Sequence, residues 1–244
     1  MCTVLYIPKA GRQIFASLRD ESPKRPKALA PMVYGLSPSC YIAPLDSLAG
    51  GTWIGATEDG NVIILLNGGF HNHERQVKYA KSRGLIVTEL LGETLPVVSW
   101  CLMDLEGIEP FSLVVWSEQL LFHLVWDGVE KHRLLLDPHI PHIWSSSTLY
   151  DAAAKARRKA QFEAWITRAT SMDKHALLAF FKANSDTENG FLVNRAEQIK
   201  TLSYSYLEYE HHESLRYSYC DFQSNIFINQ RLELIDTSQL CLLP

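Results

Sequence analysis

The sequence predicts an α+β fold in which two mainly antiparallel sheets pack face to face with helices outside. Three observations predict it. Short apolar runs separated by Pro, Gly and Asp-Gly turns occupy residues 3–66 and 111–136. A stretch rich in Ala, Lys and Arg, without Pro or Gly, runs from Leu149 to about Thr170. From Ile199 onwards polarity alternates again with the period of two that marks a strand. Strands, helices, strands, helices and strands in that order suit two sheets covered by helices. At 244 residues, 47% of them hydrophobic, the chain can bury a sizeable core without metal or disulfide staples. It reads as one domain over residues 1–244.

Thr3–Ile7 and Gln13–Leu18 flank Pro8 and Gly11 and predict a hairpin. With its turn between Lys9 and Ala10, Cys2 faces the neighbourhood of Ser17. The prolines of Ser22–Lys27 cannot sit in a central strand, so the chain leaves the sheet there. Gly51–Gly55 and Val62–Leu66 are two strands around the turn Glu58–Asn61, the second apolar enough to be buried on both faces. His73–Arg83 and Leu85–Leu91 read as helices separated at Gly84. Phe111–Trp116, Gln119–Trp126 and His132–Leu136 form a meander, its second turn at Asp127-Gly128. The Ala/Lys/Arg-rich stretch is a long helix and Lys174–Lys182 another. Leu202, Tyr204 and Tyr206 lie in one late strand, Leu215, Tyr217 and Tyr219 in the next, and a last strand falls within Ile226–Leu234.

A net charge of −4 argues against a nucleic-acid or polybasic membrane surface. The five cysteines (Cys2, Cys40, Cys101, Cys220 and Cys241) are odd in number and lack C-x-x-C spacing, which suggests neither a zinc site nor a disulfide framework. No apolar run approaches the ~20 residues of a membrane span. A reducing, cytoplasmic setting is expected, with no cofactor and no metal.

Cys2 carries the chemistry of most interest. Removal of Met1 would leave a chain that starts with a thiol and a free α-amine on one residue, a nucleophile with its own base. An α-amine titrates near ~7.7–8 and a thiol near ~8.5, so a modest perturbation yields an amine–thiolate couple at neutral pH. The same position also suits a small residue starting a strand. Arg19 and Asp20 follow the second hairpin strand and lie within reach of the N-terminus. Asp20 suits an ammonium, Arg19 a thiolate or a substrate carboxylate; Arg-Asp-Glu is also a common exposed turn.

Met1-Cys2 followed by Arg19-Asp20-Glu21 and Pro23…Arg25-Pro26 resembles the NRDE-motif family, also called the transport and Golgi organisation 2 family. Gly50–Gly55 is similar to its Gly-Gly-Thr-Trp-Leu-Gly block, Leu66-Asn67 to a following Thr-Asn, Ser82-Arg83-Gly84 to a Ser-Arg-Gly block and Ser146–Leu149 to a further one. Through that family the chain resembles the cysteine branch of the N-terminal-nucleophile (Ntn) hydrolases, the penicillin V acylases and bile salt hydrolases. The resemblance implies a four-layer αββα sandwich, Cys2 as nucleophile, Arg19 and Asp20 as its supporting pair, and Asn67 as an oxyanion donor. Ser147 stands where the branch carries a second catalytic Asn, and Leu18 where the motif has Asn. The C-terminal Arg of the hydrolases has no clear counterpart, Lys200 being the nearest candidate. The expected substrate is a small non-peptide amide or acyl compound that is hydrolysed; the alternative is a non-catalytic binding protein of the same fold that holds an acyl or other apolar small ligand in the cleft.

His71-Asn72-His73 and His139…His142 lack a Cys or carboxylate at metal-ligand spacing. His211-His212 reads as a solvated turn, and Lys155–Lys159 as an exposed helix face. The tyrosines between Tyr204 and Tyr219 predict core or interface packing, and Trp53 a core anchor or a pocket wall. The oligomeric state is open, a homodimer through the tyrosine-rich strands being one option.

Overall fold

The computed structural model describes residues 3–9, 11–35, 40–196, 198–210 and 213–235. Its first hairpin pairs β1 (Thr3–Lys9) with β2 (Arg12–Glu21). Thr3 faces Leu18, Val4 faces Ser17 and Lys9 faces Arg12, so the turn lies one residue later than the sequence suggests and Ser17 belongs opposite Val4. The later turn uses Gly11, whose φ of +72° a side chain would strain. After the Pro-rich segment come β3 (Leu29–Tyr34), β4 (Tyr41–Leu45), β5 (Ile54–Thr57) and β6 (Val62–Asn67). Neither β3 nor β4 is apparent from the pattern, because Pro31 and Pro44 interrupt both runs.

The expected helix at His73–Arg83 is absent: residues 71–82 are irregular. One helix, α1 (Arg83–Leu91), starts there and contains Gly84 in its first turn, where a glycine costs little; α2 (Pro96–Leu102) follows. The meander appears as β7 (Phe111–Ser117), β8 (Leu120–Trp126) and β9 (Lys131–Leu136), and β10 (His142–Ser145) precedes α3 (Ala152–Ile166) and α4 (Lys174–Ala183). The side chains of Asp151 and Asp173 accept backbone N–H bonds and cap these two helices. The chain continues with β11 (Asn194–Arg195), β12 (Ile199–Glu210), β13 (Ser214–Asp221) and β14 (Ile226–Glu233).

One sheet has the order β10-β1-β2-β12-β13-β14, with β11 paired to β12; the other runs β3 to β9 in sequence order, and the pairings are antiparallel. Alternation along β1 sets the layering. Val4 and Tyr6 enter the core between the sheets with Ile64, Val114 and Trp116. Leu5 and Ile7 face the opposite way and pack with Phe162, Leu177 and Phe181 of α3 and α4. Helices α1 and α2 cover the outer face of the second sheet through Val87, Leu90 and Trp100, so β6 is buried on both sides as its apolar run implies. The result is a four-layer αββα sandwich of α+β class. Tyr204 and Tyr206 fill the α4 side, while Tyr209, Tyr217 and Tyr219 fill the inter-sheet core. Among the described residues no helix is long and apolar enough to cross a membrane.

Candidate active site

Thr3, the residue peptide-bonded to Cys2, pairs with Leu18, and Arg19 and Asp20 follow directly on β2. Cys2 itself lies outside the described residues. Opposite Arg19 and Asp20 the ladder slips: Asp20 faces Thr201, Arg19 faces Ser203, and Leu202 is the extra residue of a β-bulge. A bulge kinks its strand and re-aims the neighbouring side chains. Arg19 and Asp20 are both buried, yet both line one open cavity of about 650 Å³.

Adjacent strand residues point to opposite faces, so the two side chains meet different partners. The Asp20 carboxylate accepts from Thr201 Oγ1 at 2.6 Å and from the Tyr150 hydroxyl at 2.9 Å. Thr201 in turn accepts from the Val193 N–H, which orients its proton toward Asp20. Arg19 lies over the Trp53 ring, 4.5 Å from its centroid, and donates to Asp46 Oδ2 at 2.8 Å. Asp46 also accepts from Arg25 at 2.6 and 3.0 Å and from the N–H groups of Leu48 and Ala49. Burial pulls the Asp46 carboxyl upward, but the Arg25 and Ala49 hydrogen bonds and the charges of Arg25 and Arg19 outweigh it and hold the group below its ordinary value.

Across the cavity Asn67 ends β6. Its carbonyl accepts from Ser146 Oγ at 2.8 Å, and among the described residues no hydrogen bond holds its side-chain amide. Gly68 follows with φ +83°, and a Cβ there would overlap the Ser147 hydroxyl, so only glycine lets the 146–148 segment close against Asn67. The Ser147 hydroxyl donates to the Gly69 carbonyl at 2.9 Å and lines a neighbouring cavity instead of this one. Lys200 also lines a different cavity, with Asp186 and Phe222. At the mouth, Glu109 is met by Arg83 at 3.1 Å, His73 at 3.5 Å and Arg75 at 3.6 Å. Trp53 is both core anchor and cavity wall.

Sequence reasoning missed Asp46 and Tyr150, which carry no motif, and misread Arg158. The segment Lys155–Lys159 is not an exposed face throughout: Arg158 is fully buried. Its guanidinium donates to Thr3 Oγ1, Ser145 Oγ and the carbonyls of Asn189 and Gly190, and it stacks on Tyr150 at 4.1 Å and Phe191 at 4.5 Å. The signal was present, since Ala154, Arg158 and Phe162 fall at i, i+4 and i+8 and form one buried stripe. Arg158 thus ties the start of β1 to the aromatic ring whose hydroxyl holds Asp20. His211 and His212 lie outside the described residues, and His142 Nε2 is bonded to the Asp137 carbonyl at 2.7 Å.

The family model for Transport and Golgi organisation 2 matches residues 1–230. No curated protein matches the chain in sequence. Among solved structures, the Caenorhabditis elegans N-acylethanolamine-hydrolyzing acid amidase ortholog is similar at a TM-score of 0.60 and 10% identity, over 84% of this chain and 92% of that one. The conjugated bile acid hydrolase from Clostridium perfringens is similar as a cysteine-to-alanine mutant, TM-score 0.57, and as a second variant, TM-score 0.56. Both align at 10% identity over 98% of this chain and 93% of theirs. At that identity the likeness establishes the fold, the hydrolase-like αββα sandwich.

Proposed function

This chain belongs to the Transport and Golgi organisation 2 family, and on that premise we propose that it is an Ntn-type hydrolase whose Cys2 attacks a small non-peptide amide or acyl substrate. The observation that carries the reading is the buried Asp20, oriented by Thr201 and Tyr150 one residue past Arg19, where β2 has just paired with Thr3. A carboxylate offers about four acceptor sites, and an α-ammonium is a complementary partner for it. Arg158 holds the Thr3 side chain and so steadies the chain that carries the nucleophile.

In the proposed cycle, loss of Met1 frees the α-amine, which takes the Cys2 thiol proton. The thiolate adds to the substrate carbonyl, and the developing oxyanion accepts from the Asn67 amide, a donor that does not compete for a proton. The ammonium returns its proton to the leaving nitrogen as the C–N bond breaks and a thioester remains. Water, giving a proton to the amine, then attacks the thioester and releases the acid and the thiol. Such a thiol needs a reducing compartment such as the cytoplasm. The alternative, a non-catalytic binding protein on the same fold holding an acyl or other apolar small ligand, is favoured by Ser147, whose hydroxyl bonds Gly69 and does not line the Asp20 cavity.

The test is intact-mass analysis of untagged protein followed by labelling with N-acyl electrophiles and mapping of the labelled residue. The hydrolase reading expects a chain that starts at Cys2 and labels there faster than at the exposed Cys101. Retained Met1, or equal labelling of the two, rejects it. A binding protein keeps its ligand affinity in Cys2→Ala.

A further inference from the structure

A second cavity, of about 290 Å³, opens on the flank where β8 and β10 come together beneath α3. Its walls include Phe70, Ile143 and Trp144, and its polar side chains include His123, Lys155, Lys159 and the serines 112 and 145–147. Of the two lysines that line it, Lys159 pairs with Glu163 at 3.7 Å, whereas Lys155 and, behind Ser145, Arg158 have no carboxylate partner among the described residues. Lys155 is half-buried with no ion pair among the described residues, and burial pulls its amine below the ordinary lysine value. Arg158, fully buried beside Ser145, meets only hydroxyls, carbonyls and ring faces among the described residues. No acidic residue lines the cavity among the described residues. Uncompensated positive charge at a partly desolvated wall attracts an anion more strongly than the same charge in water does.

The polar groups also suit an acceptor. Ser145 Oγ accepts from Arg158 Nε at 3.1 Å, which leaves its own proton for a ligand. His123 Nε2 is buried without a hydrogen-bond partner among the described residues, and a turn of the ring toward the cavity would supply one. Burial and the neighbouring Lys155 cation push this imidazole down to about 4, so it is neutral at pH 7 and does not itself add charge. A cavity this small lies just below the roughly 300–1,000 Å³ of most ligand pockets, and its aromatic and aliphatic walls favour an apolar body.

We propose that this cavity binds a small carboxylate with a compact apolar body, its carboxylate held by Lys155 and the Ser145 hydroxyl and its body against Trp144 and Ile143. The site is separate from the Asp20 cavity and does not depend on the hydrolase reading.

The probe is 4-fluorobenzoate, titrated into the full chain and followed by 19F NMR, with 4-fluorobenzamide as its uncharged counterpart. Using Cys2→Ser protein removes any turnover. Saturable binding of the acid but not the amide is expected, weakened at least about tenfold in Lys155→Gln, as loss of a charged hydrogen bond implies, and unchanged in Arg25→Gln, which alters the other cavity. Thermal melting of each variant separates loss of the site from loss of the fold, and Lys155→Arg should retain most of the binding. Absence of binding, equal binding of acid and amide, equal affinity in Lys155→Gln, or loss in Arg25→Gln would each overturn the proposal. Displacement by equimolar inorganic phosphate would overturn it too, by making the cavity a general anion hole.

Discussion

Asp20 and Arg158 show how a site is assembled one residue at a time. Asp20 is buried, and the Thr201 and Tyr150 hydroxyls donate to its carboxylate. Asp20→Asn preserves shape and lets both hydroxyls rebond, so stability should change little. The loss of a charged hydrogen bond, worth about 1.5–3 kcal/mol, should slow alkylation of Cys2 at least tenfold, as timed by intact mass at pH 7. Arg158 poses the opposite case. Arg158→Met leaves Thr3 Oγ1, the buried Gly190 carbonyl and the part-buried Asn189 carbonyl without this donor and should cost at least about 2 kcal/mol in chemical denaturation. Arg158→Lys should not restore it, because an ammonium cannot fork between Ser145, Thr3 and the 189–190 carbonyls.

At the scale of elements, two connections position the cavity. The β4–β5 loop lies on the start of α1: Thr52 N–H donates to the Gly84 carbonyl, and a Cβ on Gly51 would overlap the Gly84 backbone. Gly51→Ala must separate loop from helix and should destabilise by about 1–3 kcal/mol, read as a lowered melting temperature. The same loop begins with Asp46, which clamps Arg19 and Arg25. Its folded carboxyl is held below its unfolded value, so the stability it contributes is complete above the unfolded value near 3.8 and is lost as pH falls through the folded one. Denaturation curves of wild type and Asp46→Asn should therefore differ most at neutral pH and converge below about pH 4, where unfolded Asp protonates.

In the whole molecule, β1, β2 and β12 lie inside one sheet and β6 and β7 inside the other, whereas β3, β9 and β14 are edges. Amide exchange measured by mass spectrometry should be slowest in the interior strands and fastest at those edges, since local opening follows burial and pairing. Fast exchange in β1 and β2 would mean that the frame under Arg19 and Asp20 opens independently of the core. The two faces of β1 also couple the layers: Tyr6 stacks on Trp116 of the facing sheet while Leu5 packs toward the helices.

The sequence by itself determined the layering, because strand alternation and the apolar stripes of α3 and α4 are local properties that fix which face each residue buries. Arg19, Asp20 and Asn67 were singled out by the family motifs they resemble, and each ends or follows a recognisable strand, a local property; their roles belong to the proposed function. Only the tertiary structure decided the partners of Asp20 and Arg19. Thr201, Tyr150 and Asp46 lie 181, 130 and 27 positions from the residues they bind, and no periodicity links positions so far apart. It also decided the state of Arg158, since a helix stripe tells which side faces inward but not whether a buried guanidinium finds carbonyls, hydroxyls and rings there. The bulge at Leu202, which re-aims the strand beside the cavity, arises from pairing β12 against β2 and has no signature in either strand alone.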